Sequence, residues 1–137
     1  MNGYPNAIDL LASVTHFLRS ALLPSLSDAD AFNLRIGINA IDLVRREIAQ
    51  RDAAEERERA SLAALVGSES SLERMRRILC EKIASGEITL DQPSLRQHLR
   101  ATTIDRLAID QPTYSAYLAA IARSDENSSA NNETQEE

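Results

Sequence analysis

The fold of this chain is decided by residues 32–48, which read FNLRIGINAIDLVRREI. On a helical wheel this stretch is apolar nearly all round, except for one narrow stripe of polar side chains spaced four, three and four residues apart. The polar stripe consists of Arg35, Asn39, Asp42 and Arg46. A helix with so little polar surface must cover most of its circumference, so residues 32–48 predict a helix inside a bundle or an assembly.

The neighbouring segments carry the same helical periodicity. We expect a first helix from about Asn6 to about residue 22, ended by Pro24, and a second helix from about residue 30 to about residue 50. Gly37 weakens the second helix by about 1 kcal/mol relative to Ala, and a close crossing by another helix would explain it. Residues 52–66 are rich in Ala, Glu and Arg and predict either a further helix or a continuation of the second.

The second half of the chain contains clear signals for where helices begin and end. Gly67 stops the preceding helix, and Ser70 or Ser71 resembles the cap of the next helix, which ends before Gly86. Asp91 followed by Pro93 predicts the start of another helix, capped by Asp91 and running to about residue 109. Residues 110–112 break the chain, and one short helix follows. We expect Cys80, at the edge of an apolar face, to be a small buried hydrophobic residue.

These signals together predict an all-α protein, a single bundle of five to six helices. We assign the bundle to residues 1–123 and a disordered acidic tail to residues 124–137, where nothing apolar anchors the chain. A chain of 137 residues has room for one such domain. No internal repeat and no alternating strand pattern is present.

Composition excludes several functional classes. The formal net charge is −6, but the tail holds most of the excess, so the body is almost neutral and lacks the basic face of a nucleic-acid-binding protein. One cysteine allows neither an intramolecular disulfide nor a metal cluster. No leader pattern and no 18-residue apolar run is present, so we expect a cytoplasmic protein without membrane contact.

Residues capable of catalysis are few. Asp9, Ser13 and His16 share one face of the first helix, which is the spacing of a solvated polar face rather than of a triad converging on a pocket. His98 lies beside polar residues and is expected at the surface. The four glycines are isolated from one another, so they form no phosphate-binding loop. The sequence therefore predicts a non-enzymatic protein with no cofactor and no metal.

The polar stripe of residues 32–48 has two interpretations. It can be the exposed edge of a core helix, held by ordinary pairs at i and i+4. It can also be a polar seam at a protein–protein interface, where Arg is enriched and often supplies a binding hot spot. The residues alone leave both interpretations open.

Three stretches resemble one small bacterial family. They are IDLLASVTHFLRSALLPSL at residues 8–26, AFNLRIGINAIDLVRREI at 31–48 and LRQHLRATTIDRLAIDQPTYS at 95–115. The family is a domain of unknown function that is usually encoded beside an aminoglycoside-phosphotransferase-like kinase and an acyl-CoA dehydrogenase. One branch resembles the small subunit of the 4-hydroxyacyl-CoA kinase of levulinate catabolism. The most specific marks are the pattern of Arg35, Asn39, Arg46 and Glu47, and the segment LAIDQPTYS.

The resemblance implies a non-catalytic accessory subunit that supports a phosphotransferase-like hydroxyacyl-CoA kinase. The residues expected to bind the kinase are Arg35, Asn39, Asp42, Arg46, Asp110, Gln111 and Tyr114. One alternative is a homodimer that packs residues 32–48 against its own copy. Another is a module that binds a CoA ester through the phosphates. The basic residues expected for that module are Arg74, Arg76, Arg77, Arg96 and Arg100.

Overall fold

A computed structural model describes the backbone over residues 3–133 and the side chains over residues 3–127. Within these residues the chain has five α-helices and no strand, so the predicted all-α class is confirmed. The helices are α1 (Ala7–Phe17), α2 (Asp28–Val66), α3 (Leu72–Ala84), α4 (Pro93–Asp110) and α5 (Ser115–Glu133).

The helices divide into two compact units, Met1–Asp52 and Ala53–Glu137, here called unit 1 and unit 2. Unit 1 holds α1, two short irregular helical turns and the first part of α2. Unit 2 holds the rest of α2 with α3, α4 and α5. The predicted boundaries, a bundle over residues 1–123 and a tail over 124–137, stay a prediction.

Unit 1 begins with a capping box. The Asn6 side chain accepts a hydrogen bond from the Asp9 amide at 2.9 Å, and the Asp9 carboxylate accepts one from the Asn6 amide at 3.4 Å. These reciprocal bonds satisfy amides at the helix start that have no partner inside the helix. The helix then widens into a π-helical turn at Leu18–Leu22, immediately before Pro24. Proline has no amide hydrogen and crowds the carbonyl four residues earlier, so the regular α-helical ladder ends there.

The long helix α2 is continuous over 39 residues, which confirms that residues 52–66 continue the second helix. Only one side of α2 is buried in unit 1, so the chain itself does not cover residues 32–48 on all sides; the alternative that an assembly covers them stays a prediction. Ala31, Ile38 and Asp42 are buried there, whereas Phe32 and Ile36 are exposed. The crossing expected at Gly37 is likewise not found in the described residues: a Cβ atom at Gly37 would meet nothing within 4 Å.

Unit 2 is organised around one apolar cluster. Its buried members come from α2, α3, the link after α3, and α4, and they are Leu62, Met75, Leu79, Ile88 and Leu95. Turn residues set the helix ends as predicted. Gly67 follows α2 with φ of +76°, a conformation that side chains with a Cβ disfavour. Ser71 caps α3 by accepting a hydrogen bond from the Arg74 amide at 3.3 Å.

Three local expectations in unit 2 need correction. The cap of α4 is Gln92 rather than Asp91, because the Gln92 amide closes a turn on the Thr89 carbonyl at 3.1 Å, directly before Pro93 starts the helix. Cys80 is exposed rather than buried. The last helix is long rather than short, since α5 continues past residue 124 to Glu133, in a segment without glycine or proline. Disorder of the predicted tail, residues 124–137, stays a prediction, and residues 134–137 lie outside the described residues.

Candidate functional site

A buried carboxylate in unit 1 links α2 to the π-helical turn that follows α1. Asp42 of α2 is only 8% exposed, and its Oδ2 atom lies 2.5 Å from Nη2 of Arg19 in the π-helical turn. Its Oδ1 atom lies 3.2 Å from Nη2 of Arg45, one helical turn along α2. A charge this far out of water requires opposite charges beside it. The cluster therefore fixes the chain after α1 against α2.

This burial changes the predicted polar stripe. At about 100° per residue the four stripe residues span an arc of about 60°, and Asp42 lies at the edge of that arc next to Ile38. The contact that buries Ile38 therefore buries Asp42 as well. Arg35 and Asn39 remain exposed, and Arg46 is half-buried. Arg35 and Asn39 are thus at the surface and Arg46 is partly so, whereas Asp42 belongs to the interior of unit 1.

Unit 1 exposes two rows of apolar side chains at helical spacing. The first, here called the α1 stripe, consists of Leu10, Val14 and Phe17. The second, here called the α2 stripe, follows steps of four residues along α2 and consists of Phe32, Ile36, Ala40, Val44 and Ile48. Isolated exposed apolar residues are ordinary at protein surfaces. Rows at helical spacing are instead typical of a surface that another helix or protein covers.

The second predicted contact segment lies in unit 2, at the turn between α4 and α5. Asp110 closes α4 and its carboxylate accepts a hydrogen bond from Nε of Arg106 at 2.7 Å. The Gln111 carbonyl accepts one from the Tyr114 amide at 3.0 Å, so backbone hydrogen bonds hold the turn. The side chains of Gln111 and Tyr114 face solvent. All three predicted residues of this turn are therefore on the surface of unit 2.

A groove of about 380 Å³ runs between α2 and α4 in unit 2. Among the residues that line the groove, Ser61 Oγ and His98 Nδ1 form a hydrogen bond of 2.6 Å. The prediction that His98 lies at the surface is wrong, since this residue is only 5% exposed. The sequence did contain the signal: His98 follows the buried Leu95 by three residues and therefore shares its helix face.

The groove holds its charges in ion pairs at the edges. Glu58 is bound bidentately by Arg76, at 2.7 and 2.6 Å, and Asp105 is bound bidentately by Arg57, at 3.1 and 2.7 Å. Each of these hydrogen bonds raises the pKa of its arginine. Burial lowers the pKa of His98, and the nearby Glu58 carboxylate opposes that effect only in part. His98 is therefore neutral at pH 7.

The Ser61–His98 pair does not have the arrangement of a nucleophile and its base. Ser61 Oγ lies 3.0 Å from the Glu58 carbonyl as well as 2.6 Å from His98 Nδ1, so both groups have hydrogen-bond partners within the groove. Ser61 lies inside a regular helix whose amides are committed to helical hydrogen bonds, so they cannot stabilise an oxyanion. The pair is explained by the need of buried polar atoms for partners.

Of the five arginines considered for CoA binding, Arg74 and Arg77 line one groove beside Glu73 and Glu81. Four of the five contact other groups of the chain: Arg76 binds Glu58, Arg77 lies 3.4 Å from Glu73, and Arg96 and Arg100 donate to the carbonyls of Leu90 and Ala120. Each guanidinium thus stabilises a local contact. Over the described residues, no group of three or more His, Cys, Asp or Glu side chains could hold a metal ion. Nor is any described helix long and apolar enough to span a bilayer.

The fold and these surfaces define a small all-helical protein whose distinguishing feature is uncovered apolar surface in unit 1. A family model for a domain of unknown function, DUF6285, matches residues 24–114, which is more than half of the chain, and the protein belongs to that family. The match covers α2, α3 and α4 and ends at the turn before α5. No curated protein matches the chain, and no solved structure does.

Proposed function

We propose that this chain is a non-catalytic accessory subunit that binds and supports a larger enzyme. The observation that supports this proposal is the α1 stripe, where Leu10, Val14 and Phe17 are each about half exposed or more. Full burial of such a side chain contributes about 1.5 to 3 kcal/mol, so covering the exposed part of each contributes about 1 kcal/mol. A partner that covers the α1 stripe would be stabilised in its folded form by mass action.

The proposed enzyme is a phosphotransferase-like kinase that acts on a hydroxyacyl-CoA in bacterial acyl-CoA breakdown in the cytoplasm. The family resemblance of residues 8–26, 31–48 and 95–115 is the reason for this choice of partner. The kinase would provide ATP binding and phosphoryl transfer, and this chain would provide contact surface. That division of roles agrees with the groove of unit 2, whose charges are bound within the chain.

Polar residues at the surface would complete the proposed contact. Arg35 and Asn39 lie on the exposed side of α2, and an arginine at an interface commonly pairs with a carboxylate of the partner. Asp110, Gln111 and Tyr114 present a second polar segment at the turn after α4. Asp42 is not part of the proposed contact, because its carboxylate is engaged by Arg19.

Co-expression with a phosphotransferase-like kinase of the kind that the family resemblance implies tests this proposal. We expect a complex on size exclusion and an ATP-dependent phosphorylation of hydroxyacyl-CoA that needs both chains. The double substitution Val14→Asp and Phe17→Asp should abolish the complex. Leu90→Asp in unit 2 is a matched control, because Leu90 is 62% exposed and Phe17 60%. A kinase that is equally soluble and equally active alone would refute the accessory role.

The alternative of a CoA-ester-binding module has weaker support. Its phosphate ligands would have to come from arginines such as Arg76 and Arg77, which already contact Glu58 and Glu73. Binding would therefore have to break existing ion pairs before new ones form. Calorimetry with a CoA ester, with and without the kinase, distinguishes the alternatives: binding heat with the isolated chain would favour this module over the accessory role.

A further inference from the structure

The α2 stripe lies directly opposite the buried side of α2. Counting about 100° per residue from Ala40, the buried residues Ala31, Ile38 and Asp42 lie about 160 to 200° away. Ile36 and Val44 lie within about 40° of Ala40, on the open side. Unit 1 therefore covers one face of α2 and leaves the opposite face apolar and exposed.

The α2 stripe is symmetric about its centre. Ile36 and Val44 are each four residues from Ala40, and Phe32 and Ile48 are each eight residues from it. An antiparallel copy of α2, related by a two-fold axis next to Ala40, would set Ile36 against Val44 of the partner subunit. Every contact in such an interface occurs twice, which is the condition for a closed dimer. We propose that the α2 stripe is covered by a second copy of this chain in this antiparallel arrangement.

Small side chains allow the two helices to approach at the axis. Ala40 lies on the axis, and Gly37 lies one turn away with no atom within 4 Å of a Cβ position. Small side chains at the axis allow two helices to pack closely over several turns when they cross at a shallow angle of about 20°. A close crossing at this point gives Gly37 a role that unit 1 by itself does not provide.

Two polar residues beside the α2 stripe also face each other in this antiparallel arrangement. Asn33 and Glu47 are each seven residues from Ala40 and within about 20° of it around the helix. The two-fold axis therefore brings the Asn33 amide towards the partner's Glu47. Glu47 already accepts a hydrogen bond from Nε of Arg51 at 3.1 Å, and a carboxylate has acceptor capacity for an amide as well. This match favours a second copy over an unrelated apolar partner.

The area of the stripe sets the expected strength of the dimer. Its four large side chains are 48 to 61% exposed, and Ala40 adds little. An aromatic side chain covers about 150 to 250 Å², so Phe32 can add about 90 to 150 Å² per copy. The whole stripe is then smaller than the roughly 800 Å² per partner of a stable interface. We therefore expect a dissociation constant in the micromolar range.

Sedimentation velocity of the full chain alone tests this proposal over about 1 to about 300 micromolar protein. Wild type should shift from monomer to dimer across this range. Ala40→Arg and Ala40→Glu should each remain monomeric, because each places two like charges at the axis. An equimolar mixture of the two variants should restore the dimer, since Arg then faces Glu. Val14→Arg in the α1 stripe is the control and should dimerise like wild type.

Each outcome has one meaning. A wild type that is monomeric throughout, or an Ala40→Arg variant that dimerises like wild type, would overturn the proposal. A mixture that stays monomeric would overturn the two-fold arrangement at Ala40. The experiment contains no kinase, so its failure leaves the accessory role to be judged by co-expression. In the reverse case, a dimer with no effect on any kinase would refute only the accessory role.

A covalent test locates the axis independently. Ala40→Cys in a Cys80→Ser background should form a disulfide-linked dimer with dissolved oxygen as the oxidant, because two residues on the axis bring their Cβ atoms within the distance of about 3.5 to 4.5 Å that a disulfide needs. Asn39→Cys in the same background is the matched control. Its side chain lies about 100° from Ala40 around the helix, so it should remain reduced under identical conditions. Equal oxidation of both variants would contradict the assigned axis.

Discussion

The buried histidine makes the stability of unit 2 depend on pH. Burial lowers the pKa of His98 in the folded chain, whereas in the unfolded chain it titrates near its ordinary value of about 6.5. Below that pH the unfolded state binds more protons than the folded state. The free energy of unfolding therefore falls as pH falls from about 6.5 towards the pKa of the folded state. The stability that His98 contributes as a neutral group is fully present above about pH 6.5.

One proton sets the upper limit of this effect. Stability changes by at most about 1.4 kcal/mol per pH unit for one group, so the loss at pH 5.5 is at most about 1.4 kcal/mol. Three charged groups lie around the same groove, namely Glu58, Asp105 and Arg57. Glu58 acts against the effect by favouring the protonated imidazole. The measured loss should therefore stay below the limit.

Urea unfolding between pH 5.5 and 7.5 measures the effect, with three proteins in parallel. Wild type should lose stability towards pH 5.5. His98→Gln should have a lower stability but a flatter pH dependence, because glutamine does not titrate. His16→Gln is the matched control, since His16 is the other histidine of the chain and is exposed. Parallel pH curves for wild type and His98→Gln would refute the reasoning.

Further substitutions probe other parts of the fold, each read as a change in the free energy of unfolding in urea. Asp42→Ala should cost about 2 kcal/mol, because it removes a charged hydrogen bond from Arg19; an unchanged stability would show that the pair is solvated. Leu62→Ala should cost about 2 to 5 kcal/mol, since Leu62 is fully buried in unit 2, and a smaller loss would mean that the cluster collapses around the cavity. Gly67→Ala should cost about 1 to 2 kcal/mol because of its positive φ, whereas Gly37→Ala should stabilise the monomer by about 1 kcal/mol. Equal effects at the two glycines would contradict their assigned conformations.

The helices of this chain were predictable because their ends depend on local chemistry. Asn6 and Ser71 cap helices with their own side chains, and Gly67 supplies the left-handed conformation that ends α2. Each of these effects involves residues within one or two turns of each other. A reader of the sequence has all of that information. The same is true of Pro93, whose fixed φ starts α4.

The buried and exposed faces were less predictable because they depend on residues far apart in the chain. The sequence of α2 is apolar on nearly all sides in unit 1, so it does not specify which side the rest of the chain covers. The structure places Arg19 against Asp42, and this contact over 23 residues selects the face. The spacing from Leu95 places His98 on the buried face of α4, but it does not identify the partner of the buried imidazole. That partner, Ser61, lies on another helix.

The part of α2 in unit 1 is less completely covered by the chain than the part in unit 2. The contact with a second copy is therefore proposed in unit 1. In unit 2, Arg57 and Ser61 of α2 find partners on α4, and Leu62 lies at the centre of the apolar cluster. In unit 1, Asp42 finds its partners, yet the row through Ala40 on the opposite side stays exposed. Apolar surface at helical spacing is unfavourable in water, so a surface of this kind indicates a partner. The positions in that row are symmetric about Ala40, and this is the reason for proposing a second copy of the chain as its occupant.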